Sequence, residues 1–318
     1  MKQVTPSTSL SRKVGIEVEI DDPNAAIFPG VEGWDCKSDG SIRGHEYVLS
    51  KPTKVNSAKN AVTELSKALK AHNMRPHMRG SVHVHVQAAD VSKNACYALN
   101  EIYFEMQPLF RTLLASYRFG SHGRRYAPAE HHESSVDLAT HFGYRTQEAT
   151  TRDHAKRSRK YAAVNFAMMG CADANQRSVE FRQFSTSTRV DVIYAYAIIS
   201  AAMVEAVVNG VTTVDGMQAA LSTHFPEWTE WQAWRVEHLA GGEDAEKAIK
   251  AHLSTLTVGV YAAAKAGNCS VGAARKILNR LVSTGQAMMV RPCVYCGFPD
   301  VGVELAAIRA AQSSWLTS

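Results

Sequence analysis

Gly15-Ile16-Glu17-Val18-Glu19-Ile20, Ser81-Val82-His83-Val84-His85-Val86 and Ser178-Val179-Glu180-Phe181-Arg182 each alternate a polar, mostly ionisable side chain with an apolar one. At the period of two of a β-strand, Glu17 joins Glu19, His83 joins His85 and Glu180 joins Arg182 on one face. The other face of each segment is Val, Ile or Phe, which belongs in a core. The reading is a sheet with a buried apolar side and a second side lined with carboxylates, imidazoles and a guanidinium. That second side calls for a charged occupant. Carboxylates with histidine suit divalent cations, and arginine suits a phosphate or a carboxylate.

Working outward, residues 12–20 read as a strand, followed by a turn-rich segment through Asp39-Gly40-Ser41 and a second strand, Glu46-Tyr47-Val48-Leu49, ended by Pro52. Residues 57–72 carry Val62, Leu65 and Leu69 among lysines, which predicts an amphipathic surface helix. A second helix is expected over 92–117. Residues 118–160 are polar, basic and histidine-bearing, without clean periodicity, as in a loop that is either functional or mobile. Tyr161-Ala-Ala-Val-Asn165-Phe166 begins a strand, 178–184 is its hairpin neighbour, and 190–209 reads as a buried helix. Asp191, Glu205, Ser200 and two tyrosines within 190–209 argue against a membrane span. Strands and helices follow in mixed order without βαβ alternation. The expected class is therefore α+β, a mostly antiparallel sheet with helices packed on one face. Gly241-Gly242 marks a boundary, giving a domain over 1–240 and a small helical one over 241–318. In the latter, short helices are expected over 245–251, 258–266 and 271–284. Ser270 would cap the third, a helix–turn–helix-like spacing leading into a candidate wing over 287–295.

The chain has 318 residues, 45% hydrophobic and 20% charged, an ordinary globular balance, and a formal charge of +5. The cations crowd residues 118–160, where Arg124, Arg125, Arg157, Arg159 and Lys160 favour an anionic substrate or nucleotide, with a solvated surface face as the alternative. Six cysteines follow no framework spacing and the N-terminus does not read as a signal peptide, so a reducing cytoplasmic setting is expected.

Several carboxylates pressed onto one sheet face repel one another unless they take up protons or cations. If Glu17, Glu19, Glu46, His83 and Glu180 meet, Mg²⁺ or Mn²⁺ would satisfy them, and two such ions can bridge the phosphates of a nucleotide. Arg182 would neutralise a phosphoryl group in transfer. A zinc hydrolase fits less well, because no His-x-x-x-His or cysteine-rich ligand set accompanies the strands. Taken singly, a Glu-x-Glu strand is more often a solvent-exposed edge, and Glu-Phe-Arg a weak surface ion pair. The ordered co-occurrence of these segments carries the argument.

That order, with Asp39-Gly-Ser41, Gly44-His-Glu46-Tyr-Val, Tyr161-Ala-Ala-Val-Asn165 and Val179-Glu180-Phe-Arg182, resembles the amidoligase family over roughly residues 12–205. That family lies in the carboxylate–amine ligase superfamily of glutamine synthetase and glutamate–cysteine ligase. The resemblance implies a curved antiparallel sheet, like the glutamine synthetase catalytic domain, whose concave face holds Mg²⁺ and ATP. It implies Glu17, Glu19, Glu46, His83 and Glu180 as metal ligands, with His85 nearer the nucleotide. Arg182 would contact the transferring phosphate, and Asn165 and Lys160 the nucleotide or substrate. The basic position reads Arg159-Lys160-Tyr161 here, a departure from the family pattern. The implied reaction joins a small-molecule or peptide carboxylate to an amine through an acyl phosphate, with Arg124 and Arg125 as candidate substrate contacts.

In the C-terminal domain, Arg275, Lys276 and Arg280 would face outward from a winged-helix-like second helix and could contact nucleic acid or a protein. Helical packing alone also accounts for that segment. Cys293-Val-Tyr-Cys296 is half of a zinc pattern without a second pair. Trp228, Trp231 and Trp234, spaced by three, are expected to bury one side of a helix, with a binding surface as the alternative. Two other classes compete with the ligase. One is a nucleic-acid-binding protein with a non-catalytic sheet, the other a metal-dependent hydrolase using the same ligands without ATP. No membrane partner is expected.

Overall fold

Strand β1 (Lys13–Ile20) sets the architecture: Val14, Ile16, Val18 and Ile20 are all fully buried on one face. The computed structural model describes residues 3–20, 28–38, 42, 44–74, 80–115, 118, 162–240, 249–250, 253, 258–259, 262–263, 266–267, 269, 271–284, 287–291 and 294–297. The chain divides into two compact units, Met1–Leu239 and Ala240–Ser318.

In the first unit β1 is followed by β2 (Trp34–Ser38), β3 (His45–Leu49), β4 (Thr53–Lys54), α1 (Val55–Ala71), β5 (Ser81–Gln87), α2 (Lys93–Glu105), α3 (Gln107–Leu113), β6 (Val164–Asn165) and β7 (Ser178–Ser185). Helices α4 (Val190–Val208), α5 (Val214–His224) and α6 (Trp228–Ala240) follow. The strands form one antiparallel sheet in the order β2-β3-β1-β5-β7-β6, with β4 paired to the start of β1. This is the α+β class with a mostly antiparallel sheet and helices packed on it. Residues 34–38, within the segment read from sequence as turn-rich, pair with β3 as a further strand.

The apolar side of the sheet carries Val82, Val84 and Val86 from β5, Val179, Phe181 and Phe184 from β7, and Tyr47 and Leu49 from β3, all buried. Helix α4 covers it. Its side chains are buried nearly all round, so it shows little amphipathicity, and Phe184 stacks on Tyr196 at 4.4 Å between ring centroids. Among the described residues α4 alone is long and apolar enough to cross a membrane, and 94% of its apolar window is buried inside the protein. Helix α1 packs beside it through Val62, Leu65 and Leu69. Trp228 and Trp231 of α6 are buried as the spacing of three implies, while Trp234 is partly covered and lies under the Arg189 guanidinium, 5.1 Å from the ring centroid.

The helix expected over 92–117 is two. Ser92 caps α2 by accepting from the Ala95 amide, and the chain breaks at Met106 before α3, whose first turn holds Pro108. Proline has no amide hydrogen and its ring crowds the carbonyl four residues back, so α2 cannot run through it.

Strands β5 and β7 are not in uniform register. Val82 faces Phe184 and Val84 faces Phe181, so Arg182 and Gln183 together oppose His83 in a β-bulge. Gln183 turns into the core, where its Oε1 accepts from Tyr103 Oη and Gln107 Nε2, both at 3.1 Å. Buried Arg118 donates to the carbonyls of Gln183 (2.9 Å) and Arg182 (2.6 Å). The bulge thus fixes Arg182 on the polar side.

The second unit contains β8 (Val258–Gly259), α7 (Val271–Ser283), β9 (Ala287–Arg291) and β10 (Val294–Gly297), its strands antiparallel in the order β8-β10-β9. Residues 258–259, read from sequence as the start of a helix, are a strand instead. β-branched Val258 pairs with Tyr295, and that cross-strand partner decides the local structure. Ala274, Ile277, Leu278 and Leu281 of α7 pack with Ile249, Leu253, Ala263 and Ala287.

Candidate metal centre

The polar side of the central strands is built by register. Glu19 lies opposite Glu46, Glu17 opposite His83, and Glu180 opposite both His85 and Asn165. Five strands, β3, β1, β5, β7 and β6, thereby deliver eight of the predicted side chains, Glu46, Glu17, Glu19, His83, His85, Glu180, Arg182 and Asn165, to one surface. Lys160, Arg124, Arg125 and the Asp39-Gly40-Ser41 motif lie outside the described residues, as does Cys293.

Glu17 is the hub. Its Oε2 lies 3.1 Å from His83 Nδ1 and its Oε1 lies 3.1 Å from His85 Nε2. The same two ring nitrogens are each 3.7 Å from Glu180 Oε1. Glu180 is buried, receives the Asn165 amide on Oε2 at 2.7 Å and pairs with Arg182 Nη1 through Oε1. Burial by itself would raise the Glu17 carboxyl, but hydrogen bonds from His83 and His85 outweigh it and hold the group well below the usual carboxylate range. Burial would likewise lower His85. Its hydrogen bond to Glu17 and the charges of Glu180 and Glu17 prevail over that and over the repulsion of Arg182, and its pKa rises.

Sequence reasoning missed Ser81. Its hydroxyl donates to Glu19 Oε2 at 2.5 Å and lies 2.8 Å from His83 Nε2, so it joins Glu19 to the ring of His83, whose far nitrogen meets Glu17. The signal was available, since Ser81 precedes His83 by two residues and so shares its face. Just before it, Gly80 lies so close to β1 that a Cβ there would sit 2.5 Å from the Glu19 carbonyl oxygen.

Among the described residues, two groups of donor atoms have the spacing of a cation site, each with its ligand atoms within 4.8 Å of one another. They are Glu17 with Glu46 and His83, and Glu17 with His85 and Glu180. Glu17 belongs to both. Glu19 belongs to neither and is engaged by Ser81, while His85 stands in the second group. Carboxylate oxygens with one imidazole in each group fit Mg²⁺ or Mn²⁺.

No protein-family model matches the chain, and no curated protein matches it either. What the centre can do is therefore read from its own geometry.

A cleft of about 550 Å³ opens from the cluster, lined by Lys13, Gly15, Glu17, Val48, His85, Gln87 and residues 175–178. Gly15 leaves its floor bare, for a Cβ there would point at His85 Cβ from 3.6 Å. The cleft joins the metal-type donors Glu17 and His85 to a mixed wall of apolar Ile16, Val48, Leu49 and Pro52, the amides of Gln87, Asn175 and Gln176, the Ser178 hydroxyl and the cations Lys13 and Arg177.

Proposed function

We propose that the N-terminal unit is an ATP- and Mg²⁺-dependent carboxylate–amine ligase built like the catalytic domain of glutamine synthetase, with Mn²⁺ as an alternative ion. The observation that carries this reading is the shared carboxylate. Two ligand groups meet at Glu17, one reaching Glu46 and His83 and the other His85 and Glu180. Divalent ions held by these two groups, with Glu17 common to both, would supply the positive charge that a polyphosphate needs. Arg182, fixed beside Glu180 by the bulge, supplies a positive group for a phosphoryl in transfer. Asn165 orients Glu180, and Glu46 contributes to the first ion. In the cleft, the nucleotide body would extend from His85 toward Gln87 and Ser178.

In the proposed reaction a substrate carboxylate oxygen attacks the γ-phosphorus of ATP. This gives an acyl phosphate and ADP, after which an amine attacks the acyl carbon and phosphate departs. When bound, the ions offset the charge of the phosphates. The chain's own residues position the reactants and present Arg182 to the charge that develops.

The test is incubation of the protein with ATP, Mg²⁺ and pooled amino acids and amines, followed by nucleotide and phosphate analysis. Amine-dependent release of ADP and phosphate is expected, abolished by Glu180→Gln. AMP and pyrophosphate would sink the acyl-phosphate mechanism. Metal-dependent hydrolysis of an amide or ester without any nucleotide would replace the ligase reading by the hydrolase one.

For the C-terminal unit we infer a winged helix. The support is the strand order β8-β10-β9 with α7 placed immediately before the β9–β10 hairpin.

A further inference from the structure

We propose that the C-terminal unit binds duplex DNA through the exposed side of α7. This does not rest on the ligase reading. Between Glu246 and Asp300 the sequence contains seven lysines and arginines and neither aspartate nor glutamate. A solvated surface that merely keeps a protein soluble mixes both signs. A stretch of this length without one carboxylate instead favours a polyanionic partner.

The structure places part of that charge on one helix side. Ala274, Ile277, Leu278 and Leu281 bury the other side of α7 in the small core, so the helix is held by its apolar stripe. Arg275, Lys276, Asn279 and Arg280 are exposed opposite it. From Arg275 to Arg280 this stripe rises about 7.5 Å along the helix axis, short enough to lie within the B-DNA major groove, about 12 Å wide. Its chemistry suits that groove: guanidinium groups pair with guanine edges or phosphates, and a carboxamide such as Asn279 pairs with adenine. The β9–β10 hairpin follows α7 directly in sequence and is paired back to β8, a compact frame for presenting a helix to a groove.

The experiment titrates the full-length protein into a fluorescein-labelled mixed-sequence duplex and reads anisotropy over a range of salt concentrations. The wild type is expected to bind with strong salt dependence. The triple variant Arg275→Ala/Lys276→Ala/Arg280→Ala should lose about tenfold or more in affinity, with a salt slope shallower by about three. These positions are exposed, so circular dichroism should be unchanged. Lys276→Glu alone is the check should the triple variant fold poorly, and it should also weaken binding. Mg²⁺–ATP binding by the N-terminal unit should be the same in all three proteins, which separates this test from that of the ligase. Absence of duplex binding by the wild type, or equal affinity in both variants, overturns the proposal. So does displacement of the duplex by polyglutamate as readily as by unlabelled DNA, which would show an acidic-protein partner, or a preference for duplex RNA.

Discussion

Glu17 gives one carboxylate oxygen to each histidine and belongs to both ligand groups, so neutralising it would take a donor from each of the two proposed ions at once. Loss of groups that only orient ligands costs about 10- to 100-fold in metal affinity. Glu17 and Glu46 are both proposed ligands, so Glu17→Gln and Glu46→Gln are each expected to exceed that range, with the larger loss for Glu17, which serves both groups. Isothermal titration with Mg²⁺ checks this, and equal losses would show that no carboxylate is shared. The same residues set the pH response. His85 has a raised pKa, so its protonated form stabilises the metal-free fold at pH values below the ordinary histidine pKa, and that contribution disappears as pH climbs through the raised value. Glu17 works in the opposite sense: its depressed pKa adds stability above the ordinary glutamate range, lost only in acid. Above neutrality the carboxylates therefore lose a positive partner that Mg²⁺ can replace. The rise in melting temperature produced by Mg²⁺ should be larger at pH 8.5 than at pH 6, and thermal denaturation with and without chelator measures it. A rise of equal size at both values would mean that the ion does not take the place of the proton. The ionisable part of this centre was legible because period two puts Glu17, His83 and Glu180 on their faces without knowledge of the partner strands. The same period of two gives the face of Ser81, but its bond to Glu19 was not legible, because it depends on the register that sets the two strands side by side.

At the scale of elements, the close approach of β5 to β1 is set by one glycine. A Cβ on Gly80 would lie 2.5 Å from the Glu19 carbonyl oxygen and 3.2 Å from Thr186 Cβ, and that carbonyl already accepts the Thr186 hydroxyl at 2.6 Å. Backbone cannot yield as a flexible side-chain end can. Gly80→Ala should therefore push the strands apart where Ser81 meets Glu19, at a cost of about 1–3 kcal/mol, with weaker Mg²⁺ binding as a second effect. Urea denaturation reads the first and calorimetry the second. Unchanged stability would mean that the strand ends have room to separate. The strands themselves were legible, since alternation of Val and Ile with charge leaves few alternatives to a half-polar sheet. What escaped the sequence depends on partners far along the chain. The β7 bulge exists because Gln183 finds Tyr103 and Gln107 in the core while Arg118 takes the neighbouring carbonyls. Likewise β2 and β8 are strands because β3 and β10 offer them edges, and their short segments carry little pattern of their own. The break between α2 and α3, by contrast, was written locally in Pro108.

At the scale of the whole molecule, two units with separate cores should answer separately to their ligands. The first has a continuous core running from β1 through α4 to the tryptophans of α6, whereas the second rests on a small cluster around Ile277, Leu278 and Leu281. A small core leaves little margin over the conformational entropy of its chain, so the C-terminal unit should melt first. Ligands that bind only the folded form raise the transition of the unit they occupy, by about 2.7 kcal/mol at a hundredfold excess over Kd. Scanning calorimetry of the full chain should therefore show two transitions. Mg²⁺ with ATP should shift the upper one and leave the lower in place, and duplex DNA should do the reverse. Glu17→Gln should cancel the first shift and keep the second, while the Arg275/Lys276/Arg280 triple variant should cancel the second and keep the first. A single transition moved by either ligand would mean that the two units unfold as one body, and neither site could then be assigned to its unit by this means.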